Sequence, residues 1–385
     1  DSATSHTYNF RCRRQRQLIR RDRYIVCPTR PPQKLSRHGL IDWRVEALPN
    51  WARDSDGSRE EERPNATSIA LFRERLCLAA DHTIYVSQSG AFENFKLTEV
   101  VKDAQGNVQV PIAADDPMEI NVYTEQMDRI EWLSPSEDLL VGTTGGEFRI
   151  SQSTTVDPFG PANFKVAPAT PFGASSIPAL RVGSAALFAQ RSGLKIREFL
   201  FDSVNESYVA SDVTVAAEHI TRSAAVAEYD PESVFEGVSR GGLMALVWQA
   251  EPMEILWAVR SDGVLLSFVY SKDQDMAAWS RHILGGDGRV SQVAVIPARH
   301  GGRDELWLSV KRTVAGQDGY YSERMEDGYG SGDPSYTAFC VDSGKTVAGQ
   351  RNRETGCLEH PAGPEVALLA DGGGEPRAVG KDGGD

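Results

Sequence analysis

One unit recurs along this chain and leaves few architectures open: a short apolar run, a tight turn, and a second apolar run. It occurs as RLCLAADHTIYVSQ from Arg75, DLLVGTTGGEFRIS from Asp138 and AALFAQRSGLKIREF from Ala185. It returns as EILWAVRSDGVLLSFVY from Glu254 and ELWLSVKRTVAGQDGYYSERM from Glu305. With Leu76, Leu139, Leu187, Leu256 and Leu306 as markers, the intervals are 63, 48, 69 and 50 residues. A four-stranded propeller blade takes roughly 40–50 residues, and loops lengthen it. The runs are rich in Val, Ile, Leu, Phe and Trp, and too closely punctuated to be amphipathic helices. The glycines of TGG, RSG and SDG read as suppliers of positive φ at the turns. One such hairpin cannot bury both its faces, and radial packing of several can. The expected fold is all-β: an irregular β-propeller with additional small β-rich terminal modules.

The propeller is expected over residues 61–327. Ile255–Val259 and Val264–Tyr270 read as inner strands around a turn made by Asp262 and Gly263. Ala277–Leu284 reads as the next strand outward. Trp257, Trp279 and Trp307 are expected to be structural, with Trp279 packed between blades. The one predicted helix is Asp212–Tyr229, with Asp212 as its cap. Residues 1–60 form a basic segment of unsettled fold, in which RPPQKLSRHG and RDSDGSREEERPN read as linkers or exposed loops. After EDGYGSGDP, the runs YTAFCVDS and EVALLAD suggest a small β module over 328–385, read as incomplete.

Charge is unevenly spread. The chain carries a formal net charge of -13. Residues 1–50 hold eleven Lys/Arg against four Asp/Glu, giving +7, so the remainder carries -20. An acidic body argues against ordinary sequence-specific DNA binding, which needs a basic footprint. Arg11, Arg13, Arg14, Arg16, Arg20, Arg21 and Arg23 read as a solvated basic arm, or as a contact for phosphate or an acidic partner. The five cysteines (Cys12, Cys27, Cys77, Cys340, Cys357) show no CxxC or His–Cys spacing, so no zinc site is expected and the thiols read as reduced. The sequence lacks an initiator Met and a signal segment, and the expectation is a processed or partial intracellular product. No apolar run approaches the roughly 20 residues of a membrane span, and no stable membrane association is expected.

The motifs that could carry chemistry are sparse. His282 beside Arg281 lacks a GxSxG elbow or a local Ser-His-Asp pattern, and reads as a hydrogen-bonded blade residue. Asp115, Asp116 and Glu119 in AADDPMEI could bind a hard cation or do acid–base work, but their spacing is not that of an EF-hand. They read as an acidic loop before a strand. SKDQDMAAW (Ser271–Trp279) is a faint match to an Asp-box and lacks its glycine. GYGSG (Gly328–Gly332) follows no strand and opens no helix, so a phosphate loop is not expected. The sequons at Asn65 and Asn205 read as chance. No catalytic residue, cofactor or metal is expected.

Taken in order, several segments resemble the tail nozzle (tail tubular protein B-like) family of short-tailed bacteriophages. SIALFRERLCLAADHTIYVSQSGAFENF resembles its opening segment, with a Ser-x-Ser-Gly-x-Phe-x-Asn-Phe signature. DDPMEINV and LLVGTTGGEFRIS resemble its Asp-rich stretch and its Gly-Gly-Glu strand pair. FAQRSGLKIREFLFD, YVASDVTVAAEHI, SDGVLLSFVY, WSRHILGG and LWLSVKR follow in the family's order, then FCVDSGKTVAG and CLEHPAGPEVALLADG. The likeness spans roughly residues 66–375, and the order of the segments is more specific than any one of them.

The resemblance implies a virion structural protein, assembled in the host cytoplasm: a hexameric ring below the head-to-tail adaptor, in contact with tail fibre or spike proteins. Its channel would hold genomic DNA and pass it at infection. An acidic channel wall would repel phosphate and let DNA slide. Ring closure would use a heterologous head-to-tail interface. The rival readings are another phage tail or adaptor protein, a glycosidase-type propeller enzyme, and a cellular scaffold, for which WD40 spacing is absent.

Overall fold

The computed structural model describes residues 15–19, 22–38, 42–48, 51, 63–97, 112–123, 128–222, 242–271, 276–285, 288–297, 302–314 and 316–326. The fold is all-β, with six small antiparallel sheets as the blades of an irregular β-propeller. The first sheet is Gln15–Ile19 (β1), Asp22–Cys27 (β2), Arg30–Arg37 (β3) and Trp43–Ala47 (β4). The second is Ser68–Phe72 (β5), Arg75–Ala80 (β6), Thr83–Val86 (β7) and Met118–Asn121 (β8). The third is Ile130–Pro135 (β9), Leu139–Thr143 (β10), Glu147–Ser151 (β11) and Lys165–Thr170 (β12). The fourth is Leu180–Val182 (β13), Ala185–Ala189 (β14), Ile196–Asp202 (β15) and Ser207–Asp212 (β16). The fifth is Leu243–Gln249 (β17), Ile255–Arg260 (β18), Leu265–Ser271 (β19) and Met276–His282 (β20). The sixth has three described strands, Arg289–Ile296 (β21), Glu305–Val314 (β22) and Gln317–Arg324 (β23). Each marker leucine falls on the second strand of its sheet, which is why the intervals between them follow the blades.

The chain divides into two compact units, Asp1–Glu218 and His219–Asp385. In the first unit, neighbouring sheets share their cores. Tyr24, Val26, Leu48 and Trp51 pack with Ile69, Leu76, Leu78 and Tyr85. On the other side of the second sheet, Ala70, Cys77, Ala79, Ile84 and Ile120 pack with Ile130, Leu139, Val141 and Ile150. Trp132 and Leu140 then pack with Ala186, Phe188, Phe199 and Ala210 of the fourth sheet. Successive residues of β6 and β10 therefore serve alternate cores, and apart from Arg75 and Thr143 at their ends both strands read as apolar runs. In the second unit, Ile255, Trp257, Val259 and Leu265 pack with Val290, Leu306, Leu308 and Val310.

Several local expectations are corrected. RPPQKLSR is a strand, although its second and third residues are prolines. The register shifts between Ile25 and Cys27 opposite them, so the ladder does not require the missing proline N–H groups. The basic stretch beyond Asp22 thus builds a sheet, and Tyr24 and Val26 enter a shared core. The helix expected from Asp212 is a single 3-10 turn, Val215–Ala217. Asp212 Oδ1 instead accepts the Thr214 N–H at 2.9 Å and its hydroxyl at 2.5 Å, an Asx turn that closes β16. Residues 223–229 of that expected helix lie outside the described residues.

Turn chemistry is also partly different. Gly193 and Gly263 have φ of 71° and 88°, as their turns require. Gly145 and Gly146 do not; they are small because a Cβ would lie 2.1 Å from Asp128 Oδ2 or 2.9 Å from the Thr170 carbonyl. The left-handed turn between β5 and β6 is made by Arg73 and Glu74, at φ 48° and 59°, without glycine. Such a conformation costs roughly 1–2 kcal/mol per residue. It is held by Gly90 N donating to the Glu74 carbonyl at 2.9 Å and by Arg73 Nη2 donating to the Glu137 carbonyl at 3.2 Å. Cys77 is a buried free thiol whose pKa burial pushes up to about 12. Cys27 is disulfide-bonded to a partner outside the described residues, which corrects the expectation of reduced thiols throughout. The module expected over 328–385 lies outside the described residues. Among the described residues no helix is long and apolar enough to cross a membrane.

Candidate functional site

The most heavily built polar feature is a loop cluster around Arg75, the one charged residue in the run RLCLAA. Arg75 opens β6 and is 1% exposed. Its guanidinium donates to the carbonyls of Ser87 and Asp116 at 2.8 Å each and of Ala114 at 2.5 Å. Burial pulls its pKa down, against the opposing pull of Cys77, Asp115 and Asp116. The acceptors are carbonyls on two loops, so Arg75 fixes backbone and leaves the nearby carboxylates to other partners.

The acidic loop is shaped by hydrogen bonds from neighbouring groups. Asp116 Oδ2 accepts Ala113 N–H at 2.8 Å, and Asp115 Oδ2 accepts the Gln88 amide at 3.3 Å. Glu119 Oε1 faces Arg63 Nη2 at 3.3 Å. The three carboxylates have separate duties, and among the described residues no group of three or more His, Cys, Asp or Glu is placed to hold a metal.

The adjoining loop, Ser87–Phe95, carries the Ser-x-Ser-Gly-x-Phe-x-Asn-Phe signature, and its residues latch the first sheet to the second. Glu93 Oε1 accepts from Tyr24 Oη at 3.0 Å and from Lys34 Nζ at 2.6 Å. Ser87 Oγ accepts Leu76 N–H at 2.9 Å, and Asn94 Nδ2 donates to Gln88 Oε1 at 2.8 Å. Gly90 takes φ 72° and lets the loop reverse. Phe95 and Tyr85 meet Trp51 edge-on, with ring centroids 5.7 and 5.1 Å away. Arg63 lies over both Trp51 and Tyr85 and donates to the Phe95 carbonyl at 3.0 Å. The chemistry of the loop is cohesion between sheets.

The residues singled out from sequence occupy different places. Arg11, Arg13, Arg14, Arg20 and Arg21 lie outside the described residues, and Arg16 lies on β1. Arg23 is on β2, with its guanidinium 5.6 Å from the Trp43 ring. Asp262 accepts a two-pronged contact from Arg260 at 2.8 Å on each oxygen. At Gly263 a Cβ would lie 2.9 Å from Arg289 Cα, so this turn sits directly against β21. Trp257 is buried in the core between the fifth and sixth sheets and donates to Gln249 Oε1 at 2.7 Å. Trp307 donates to Glu305 Oε2 at 2.9 Å. Trp279 stacks on Phe268 of its own sheet, with centroids 4.5 Å apart. β20 pairs with β19 and sets Trp279 opposite Phe268.

His282 is hydrogen-bonded through Nε2 to Ser267 Oγ at 2.8 Å and rests beside the Trp257 ring. A Ser–His contact of this kind invites a nucleophilic reading. Ser267 is buried, burial alone lowers the His282 pKa, and no carboxylate among the described residues orients the ring. Sequence reading missed Arg75, Glu93, Arg63 and Trp51. Their one usable signal was a charged residue heading an otherwise apolar strand.

No family model matches the chain, and no curated protein matches it. A solved structure of a 6-phosphogluconolactonase-like protein from Bacteroides uniformis is similar at 10% identity, with a TM-score of 0.41, over 79% of this chain and 82% of that one. At that distance the likeness carries no argument about activity.

Proposed function

We propose that this chain is a structural component of a bacteriophage tail, a nozzle subunit whose ring forms the DNA-ejection channel below the head-to-tail adaptor. The observation that supports the reading is the ordered set of family-like segments. The segments that fall on described residues lie on the blades, at the β5–β7 strands with their latch loop, the Asp115–Val122 stretch and strands of the later sheets, while FCVDSGKTVAG and CLEHPAGPEVALLADG lie outside the described residues. The role needs a stiff wall and no reacting groups. A body of formal charge -20 beyond residue 50 suits a conduit that must release DNA.

Electron microscopy of the purified protein and of tailed particles labelled against it tests the reading. The expected result is a six-fold ring and label at the tail. Label absent from particles, or glycan or lactone turnover that disappears on His282→Ala with the fold intact, overturns it. Duplex DNA should not be retarded by the protein at physiological salt, because like charges repel within the roughly 8 Å over which salt leaves them unscreened.

A further inference from the structure

The core between the fifth and sixth sheets ends at a titratable ring. Val259, Leu265 and His282 lie side by side across β18, β19 and β20, and Trp257 pairs with Ser267 one step along the same face. Trp257, Val259 and Leu265 pack there with Val290, Leu306, Leu308 and Val310. His282 is therefore turned to the joint and sits half-buried at its margin. Its Nε2 meets the buried Ser267 Oγ at 2.8 Å, and its ring centroid lies 5.3 Å from that of Trp257 at a tilt of 48°. Among the described residues, β17–β20 place no other charged group on this face, since Arg260 and Arg281 occupy intervening positions. The sixth sheet places Arg312 and Glu323 there, with the titratable Tyr321. Arg312 donates to Glu323 through Nε at 2.6 Å and Nη2 at 3.0 Å, and to the Gly285 carbonyl through Nη1 at 2.6 Å. The segment that leaves His282 is thus clamped to the sixth sheet.

We propose that His282 is an acid-sensitive catch on the joint between the fifth and sixth sheets, released when its ring takes up a proton. With the ring neutral, Nε2 and the Ser267 hydroxyl satisfy each other. A proton makes both ring nitrogens donors and sets a charge at the edge of an apolar core. The tilted Trp257 ring offers that cation only part of its face. Burial holds the His282 pKa below its ordinary 6.5. The charged ring therefore favours a state in which β20 lifts from the joint and the ring reaches water. The contribution is present above the unfolded pKa and is lost as pH falls through the folded one. Glu147, whose pKa burial raises, has the opposite sign in the first unit. The catch does not depend on the nozzle role.

The test is hydrogen exchange of the full chain from about pH 7.5 to about pH 5, read by mass spectrometry and corrected for the intrinsic rate. Protection of β20–β22 should fall below about pH 6.5, by up to about tenfold per pH unit until the folded pKa is passed. Protection of β5–β7 should not fall with it. His282→Gln can still hydrogen-bond Ser267 but does not titrate, and it should abolish the fall. Circular dichroism checks that this variant folds. Where it does not, the wild-type imidazole signal in contact with Trp257 decides, and its NMR titration midpoint should lie below the ordinary value. Protection that ignores pH, or a fall that His282→Gln retains, overturns the catch. A midpoint at or above the ordinary value also overturns it, and would mean that Trp257 holds the cation more strongly than burial opposes it.

Discussion

The β6–β7 hairpin and the β22–β23 hairpin start from similar apolar runs and end in different surroundings. Every residue of β6 and β7 is buried, whereas β22 alternates and most of β23 is exposed. Composition does not separate RLCLAA from ELWLSV; position does. β6 lies between β5 and β7 and has a core on each side, so it needs apolar residues at every step. β22 has one shared core, and its other positions hold Trp307, Ser309 and Lys311. β23 closes the described sheet, and its side chains reach outward as ion pairs, Lys311 with Asp318 at 2.7 Å and Arg324 with Glu305 at 3.2 Å. A continuous apolar run therefore marks a strand packed on both faces, and an alternating one a strand with a single core.

Substitutions can break this comparison. Arg75→Met should have the largest effect, because it strips three carbonyl acceptors of their buried partner. Leaving a buried carbonyl acceptor without its donor costs roughly 1–3 kcal/mol, to be measured here by urea unfolding. Early proteolysis at the Ala113–Asp116 loop should accompany it. A cost under ~1 kcal/mol would mean that the loops hold their shape without the arginine. Gly142→Ala comes next. A Cβ there would lie 2.1 Å from the Trp132 ring, between β9 and β10. Overpacking of this kind costs about 1–3 kcal/mol. The matched change at the open hairpin tip, Gly183→Ala, meets no atom within 4 Å and should cost only the φ 58° penalty, roughly 1–2 kcal/mol.

Glu147 sharpens the comparison through pH. Burial raises its pKa above the ordinary 4.5, against hydrogen bonds from Thr170 and Phe172 and the nearby Arg197. Oε2 accepts the Thr170 hydroxyl at 2.5 Å, while Oε1 is buried without a hydrogen-bond partner. The folded protein thus holds this proton more tightly than the unfolded chain. The contribution is fully present below the unfolded pKa and is lost as pH rises through the folded one. Glu147→Gln should flatten that decline in a set of melts from pH 4.5 upward, and an unchanged slope would assign the decline to other groups. The smallest effect is expected at the outer strand. Tyr320→Ser on β23 should stay within about 0.5 kcal/mol.

The blades were legible because the central hairpins carry dense Leu, Val and Ile runs at roughly regular spacing. All five marker leucines landed on second strands. The first sheet was not legible, since RPPQKLSR and WRVEA lack that density and a proline pair argues against a strand in isolation. A register shift in β2 rescued it, and a shift of that kind depends on the partner strand. The helix expected at Asp212 failed for a related reason. VTVAAEHI has helical spacing, but Asp212 caps a turn that ends a strand, and tertiary pairing overrode local preference. At the loop cluster, Asp115 and Asp116 were visible as acids, but the residue that organises them was hidden one blade-length of loop away in β6. Contacts between Arg75 and backbone carbonyls leave no side-chain pattern in the sequence.

The alternating use of β6 and β10 by two cores has a mechanical consequence. A sheet wedged between two cores cannot peel away without stripping cover from both neighbours, so a tug on the second or third sheet is shared across the stack. Among the described residues the first sheet rests on one shared core and is tied further by Glu93, through Tyr24 and Lys34. Under load, that carboxylate acts as a rivet alongside the shared core, holding the first sheet to the second.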